Sequence, residues 1–237
     1  MKLSQNLGLE NCLNSYLLKG SFLLWKCLHF VCFYDMLTCE VNVMKTVIKE
    51  KKDLDAIVET LKNDGVVAFP TETVFGLGVI YNSDRAIDRL IKAKNRDMSK
   101  RFTLMLDSKN KIEDYAIVSL RERKIIEAFM PGDLTIILNS KDNKQTIGIR
   151  IPDDDFVCSL ISKCQIPLYV TSANISHQPS ALNDKEALAQ LDGRIDMIVK
   201  GECKMNQAST VVDLTGDTIK ILRQGRITLE MIEEVIR

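Results

Sequence analysis

The groups able to do chemistry crowd together at a few points of this chain. Pro70-Thr71-Glu72-Thr73-Val74-Phe75-Gly76-Leu77-Gly78 follows the short apolar run 66–69. It brings two hydroxyls, one carboxylate and two glycines to a strand end, where open α/β sheets put ligands. Hydroxyls there can orient a small polar substrate, and glycines permit close backbone approach; the same string also reads as a plain turn with a glycine bend. Lys94-x-Arg96, with Lys100 and Arg101 behind it, places four cations within eight residues. Such a run can answer a helix dipole on a solvated face. It can also hold a triphosphate, arginine forking the oxygens and lysine acting as a point charge. It is not a GxxxxGK[ST] loop. Arg150, between Ile149 and Ile151, either points from a strand into a cavity or lies on the surface. Thr171-Ser172-Ala173-Asn174 ends another apolar run in a polar burst, Ser209-Thr210 opens a strand, and Arg223-Gln224-Gly225 ends one.

After Met44 the only histidine is His177, so no nucleophile–His–Asp set can form there. No acidic cluster has metal-ligand spacing, and no protein metal site is expected. A reaction run by positioning and charge neutralisation fits better than covalent catalysis. The seven cysteines include no CxxC pair, which excludes zinc-finger spacing and suits free thiols in a reducing cytoplasm. Formal net charge is zero, which argues against coating nucleic acid by bulk charge.

The elements that must position these groups can be read from periodicity. Asp53 caps a helix with Leu54, Ile57, Val58 and Leu61 on one face, and Gly65 reads as its stop. Ser83 caps a second helix, which ends at the Lys94-x-Arg96 run. Strands are expected at 44–48, 66–69, 103–106, 134–138, 147–151, 168–171, 197–199, 210–214 and 219–222. Further helices are expected between Ile112 and Phe129, over 156–161, from Asp184 through Leu191, and at the end of the chain. The alternation predicts one α/β domain over 44–237, with a twisted mixed parallel and antiparallel sheet flanked by helices. Residues 1–43 do not match the rest. Lys19, Lys26 and Asp35 interrupt their apolar stretch, so no uncharged run approaches the roughly 20 residues that span a bilayer. They read as an extension outside the fold, and no membrane association is expected.

The strings PTETVFGLG, KNR, PGDLT, GIRIP, TSANIS, STVVD and ILRQG occur in that order. Each is weak alone; together they resemble the YrdC-like domain of the threonylcarbamoyl-AMP synthase family. The resemblance runs from Met44 to Arg237 and is to the short, single-domain type. It implies an enzyme making L-threonylcarbamoyladenylate from L-threonine, bicarbonate and ATP, with Mg²⁺ and with pyrophosphate released. Partner transferases would then pass the threonylcarbamoyl group to the tRNA adenosine beside the anticodon. The family's K-x-R…S-x-N set falls on Lys94, Arg96, Ser172 and Asn174. It implies Lys94 and Arg96 on the phosphates, and Ser172 and Asn174 on the nucleotide or carbamate. Lys100 and Arg223 are added on the ATP side, and Thr71, Thr73, Thr171 and Arg150 on the threonine side. The chain departs from the family's usual pattern at Asp97, at Arg101-Phe102 where Pro-Leu is common, at Met130 and at His177. Two rivals stand beside this reading. One is a non-catalytic module that binds double-stranded RNA weakly by shape. The other is a carbamoyl-adenylate domain like those inside hydrogenase-maturation proteins.

Overall fold

A computed structural model describes residues 45–97 and 102–237. Lys100, Arg101 and the extension 1–43 lie outside the described residues.

Ten strands form one mixed sheet. They are β1 (Val47–Lys49), β2 (Val67–Phe69), β3 (Gly76–Ile80), β4 (Thr103–Met105), β5 (Leu134–Asn139), β6 (Thr146–Arg150), β7 (Leu168–Ser172), β8 (Met197–Val199), β9 (Thr210–Asp213) and β10 (Lys220–Arg223). Their spatial order is β1-β8-β2-β3-β7-β4-β6-β5-β9-β10. The pairs β1/β8, β2/β8, β4/β6 and β5/β9 are parallel, and the other five are antiparallel.

Among the described residues six α-helices flank the sheet: α1 (Leu54–Lys62), α2 (Asp84–Lys94), α3 (Leu120–Phe129), α4 (Asp155–Cys164), α5 (Asp184–Leu191) and α6 (Leu229–Ile236). Five of them start at a side chain that caps the helix; Asp53, expected to cap α1, makes no such bond and accepts instead from Glu50 N–H at 3.0 Å. The Ser83 hydroxyl accepts from Ala86 N–H at 3.2 Å, and Ser119 and Glu122 form a reciprocal capping box. Helix α5 is capped by Asn183 rather than by the expected Asp184.

Two hydrophobic clusters fill the domain. One packs Ile57 and Leu61 of α1, Leu90 of α2, Leu160 of α4 and Leu191 of α5 on β2, β3 and β8. The other packs Ile125 of α3 and Ile232 of α6 on β5 and β6.

Two glycine readings need correction. Gly65 does not stop α1. Asp64 takes the left-handed turn at φ 62°; Gly65 is needed next because a Cβ there would lie 2.5 Å from the Thr60 carbonyl oxygen. Gly76 and Gly78 are not loop residues. They open β3 and make room for Phe69, whose ring would stand 2.7 Å from a Cβ on Gly78.

Candidate active site

The functional residues meet where β3, β4, β6, β7 and β9 end around a cleft of about 300 Å³. Its geometry begins with the end of α2. Asn95 caps that helix in the left-handed conformation, φ 49° and ψ 47°. Its N–H bonds back to the Lys92 carbonyl and that of Arg96 to Ile91. Asparagine tolerates this turn better than most residues. Lys94 and Arg96 therefore stand on opposite sides of a reversal, although only one residue separates them.

Lys94 stays in the last helical turn and points inward, 1% exposed. Its ammonium donates to the Ser172 carbonyl, to the Asn174 carbonyl at 2.7 Å and to Asn174 Oδ1 at 3.3 Å. Three acceptors occupy its three hydrogens. Burial pushes the ammonium down to about 7, and the neighbouring Arg96 charge adds to this. In return the Lys94 carbonyl accepts from Ser176 N–H at 2.8 Å. Asn174 also works inward: its side-chain N–H₂ bonds the carbonyls of Ile175 and Gln178, both at 2.8 Å. The Ser172 hydroxyl donates to Asn174 Oδ1 at 2.5 Å. Lys94 is thus a brace for the Ser172–Asn174 turn.

Arg96 and Ser172 do line the cleft. Arg96 is held below its ordinary pKa by burial, and its Nη1 donates to the Thr171 hydroxyl at 3.3 Å. Thr171, expected on the threonine side, thus spends its hydroxyl on Arg96.

The opposite wall is built on Arg150, 4% exposed. Its Nε donates to the Gly132 carbonyl at 3.1 Å, its Nη1 to Thr73 Oγ1 at 3.0 Å and its Nη2 to Glu72 Oε1 at 2.6 Å. Glu72 Oε1 also accepts from Asp153 N–H at 2.9 Å. The cavity alternative for Arg150 is the one the structure adopts. Thr73 and Thr71 lie 3.0 Å apart, and Thr71 donates to the Val74 carbonyl at 2.7 Å.

The floor comes from the last strands. Arg223 donates to the Ser209 carbonyl at 2.9 Å and hydroxyl at 3.0 Å, and Ser209 lies 2.9 Å from Thr135 Oγ1. Burial, and then the Arg150 charge, hold Arg223 below its usual range.

Sequence reasoning quoted Glu72 and Ser209 inside motifs but gave them no role. Their work is tertiary, against residues 78 and 14 positions away, and no local pattern announces it. Among the described residues no group of three or more His, Cys, Asp or Glu could hold a metal, and no helix is long and apolar enough to cross a membrane. Cys158, Cys164 and Cys203 are free thiols.

A family profile, Sua5/YciO/YrdC, described as Telomere recombination, matches residues 59–225. A putative threonylcarbamoyl-AMP synthase of Methanocaldococcus jannaschii is 34% identical over 77% of this chain and 90% of its own length. The threonylcarbamoyl-AMP synthase of Bacillus subtilis is also 34% identical, over 74% of this chain but 54% of its own length. The crystal structure of Pyrococcus abyssi Sua5 complexed with L-threonine superposes with TM-score 0.74 at 30% identity, over 81% of this chain and 60% of that one. The chain thus spans little more than half of its longer relatives. Escherichia coli YciO, at 22% identity and TM-score 0.70, shares the fold. With one profile running from α1 past Arg223, through every wall of the cleft, this chain belongs to the Sua5/YciO/YrdC family.

Proposed function

We propose that this chain is an L-threonylcarbamoyladenylate synthase, a nucleotidyltransferase that makes the adenylate from L-threonine, bicarbonate and ATP and releases pyrophosphate. The observation that carries the reading is the charge of the cleft. Arg96, Arg150 and Arg223 line it, with the Glu72 carboxylate behind Arg150. Guanidinium groups at a half-buried wall give an entering anion charge-assisted hydrogen bonds. The names of the relatives and the L-threonine bound to P. abyssi Sua5 supply the chemistry of that anion and its co-substrate.

In the proposed reaction bicarbonate loses hydroxide to give carbon dioxide; the threonine nitrogen attacks its carbon and loses a proton to give a carbamate, so that water is the by-product of the step. A carbamate oxygen then attacks the α-phosphorus of ATP. The bond from that phosphorus to the α,β-bridging oxygen breaks, and pyrophosphate leaves. Arg96 and Arg223 neutralise the charge that spreads over the phosphate oxygens. Ser172 presents its hydroxyl beside them. Thr71, Thr73 and Arg150 hold threonine. Lys94 and Asn174 act from behind by fixing the Ser172 turn. The cleft offers guanidinium groups and hydroxyls rather than a carboxylate cage, which fits a magnesium ion carried in on the phosphates. The adenylate, a reactive mixed anhydride, is passed to transferases acting on tRNA in the cytoplasm; weak RNA binding by this chain would assist that handover.

The test is to incubate the protein with Mg²⁺, ATP, bicarbonate and L-threonine, and follow pyrophosphate and the adenylate mass. Release should need all three substrates. Equal release with glycine would sink the threonine assignment. Carbamoyl phosphate replacing threonine and bicarbonate would favour the hydrogenase-maturation type of chemistry. Salt-dependent tRNA binding without ATP consumption would favour the RNA module.

A further inference from the structure

Arg96 has an unusual support. The Phe102 ring lies under its guanidinium, 4.9 Å from ring centroid to Cζ, and both side chains line the cleft. The ring is itself seated. It packs on Tyr169 at 5.9 Å, and Tyr169 meets Tyr81 edge-on at 5.7 Å. Tyr81 in turn meets Tyr115 edge-on at 5.5 Å. A row of four aromatic rings thus runs from the half-buried Tyr115 to the cleft arginine.

The chemistry of this support matters. An aromatic face attracts the cation through the ring quadrupole and sets the tilt of the guanidinium without itself accepting from an N–H group. The Thr171 hydroxyl accepts from Arg96 Nη1 at 3.3 Å. Leucine, common at this place in the family pattern, would fill the volume without fixing the plane.

We propose that Phe102 is a positioning residue for the transferring phosphates, holding the Arg96 guanidinium in its binding plane. The inference rests on the reading of the cleft as an ATP site, and its test separates the two.

Phe102→Leu and Phe102→Tyr would be compared with the parent chain by two measurements. The first is the rate of phenylglyoxal modification at Arg96, resolved by peptide mass, with Arg223 as internal reference. Leucine should speed labelling of Arg96 and leave Arg223 unchanged, while tyrosine should match the parent. The second is ATP affinity by calorimetry. Leucine should weaken it about fivefold, the size of a partly desolvated cation–π contact, and tyrosine should restore it. In an Arg96→Ala background the leucine change should have no further effect. Parental labelling of Arg96 in Phe102→Leu, or an undiminished loss of affinity in the Arg96→Ala background, would overturn the proposal. A parent chain that bound no ATP would remove the functional reading, and the Arg96 labelling would then decide the positioning role alone.

Discussion

Thr73 donates its hydroxyl hydrogen to Thr71. The two oxygens are 3.0 Å apart and either could give the proton, but Thr71 has already spent its own on the Val74 carbonyl at 2.7 Å. Arg150 Nη1 then donates to Thr73 Oγ1 at 3.0 Å. The bonds run one way, from Arg150 through Thr73 and Thr71 to Val74. Neither hydroxyl keeps a hydrogen for a ligand, and Thr71 also accepts from Thr73 N–H at 3.2 Å, so Thr73 alone of the two keeps a lone pair to offer. That suits an amine or hydroxyl hydrogen of L-threonine. Thr73→Val should strand the Arg150 donor and raise KM for threonine by roughly tenfold or more, with ATP affinity unchanged. Steady-state kinetics with each substrate varied would check this; an equal rise for ATP would contradict it.

Arg96 and Lys94 should fail differently. Arg96→Ala removes a cleft charge from a half-buried position, so adenylate formation should fall about a hundredfold with little change in Tm. Lys94→Met leaves the Ser172 and Asn174 oxygens without their donor, at about 1–3 kcal/mol. For a domain of this size that is a Tm loss of roughly 2–12 °C. Melting curves run beside turnover would separate brace from ligand; an unchanged Tm in Lys94→Met would return that lysine to the cleft.

Lys94 also predicts a pH dependence. It titrates near 7 when folded and at 10.5 when not. Below pH 7 both states hold the proton and the cost of burying the charge is fully present. Between 7 and 10.5 the folded chain sheds the proton first, so this group's contribution becomes more favourable as pH rises. The Tm of the parent relative to Lys94→Met should therefore climb across that window. A flat difference would mean that the three acceptor oxygens hold the ammonium against its burial.

Deleting residues 1–43 should leave a folded and active protein. Among the described residues both hydrophobic clusters draw on 54–236. Side-by-side melting and adenylate formation would test this, and a truncated form melting several degrees lower would refute it.

Much of the architecture was legible because it is local. Ser83, followed by Ile87, Leu90 and Ile91, announces α2 by cap and period, although of the three only Leu90 is fully buried; the alternation of elements gives the sheet its mixed character. The errors share a cause. Gly65 was read as a helix stop because glycine is the usual left-handed residue, but Asp64 takes that conformation and Gly65 answers crowding by Thr60. Gly78 sits in the string that suggests a ligand loop, but it makes room for Phe69 on the neighbouring strand; Gly76 does line the cleft. Lys94 and Arg96 look alike in the sequence; the reversal at Asn95 lets Lys94 brace the Ser172–Asn174 turn while Arg96 lines the cleft beside it. Which side of a wall a residue serves depends on partners far along the chain, as with Glu72 and Arg150.

The strand order has a consequence for how this site comes into being. Gly76 pairs with Ser172 and Leu134 with Thr210, so neighbouring strands close long loops before their contacts repay the lost chain entropy. Thr73 and Arg223, on facing parts of one cleft, stand at opposite ends of that process. A chain emerging from the ribosome holds the first threonines long before the last arginine exists. The cleft is therefore a late product of folding, and its chemistry reports on the completed sheet rather than on any segment of it.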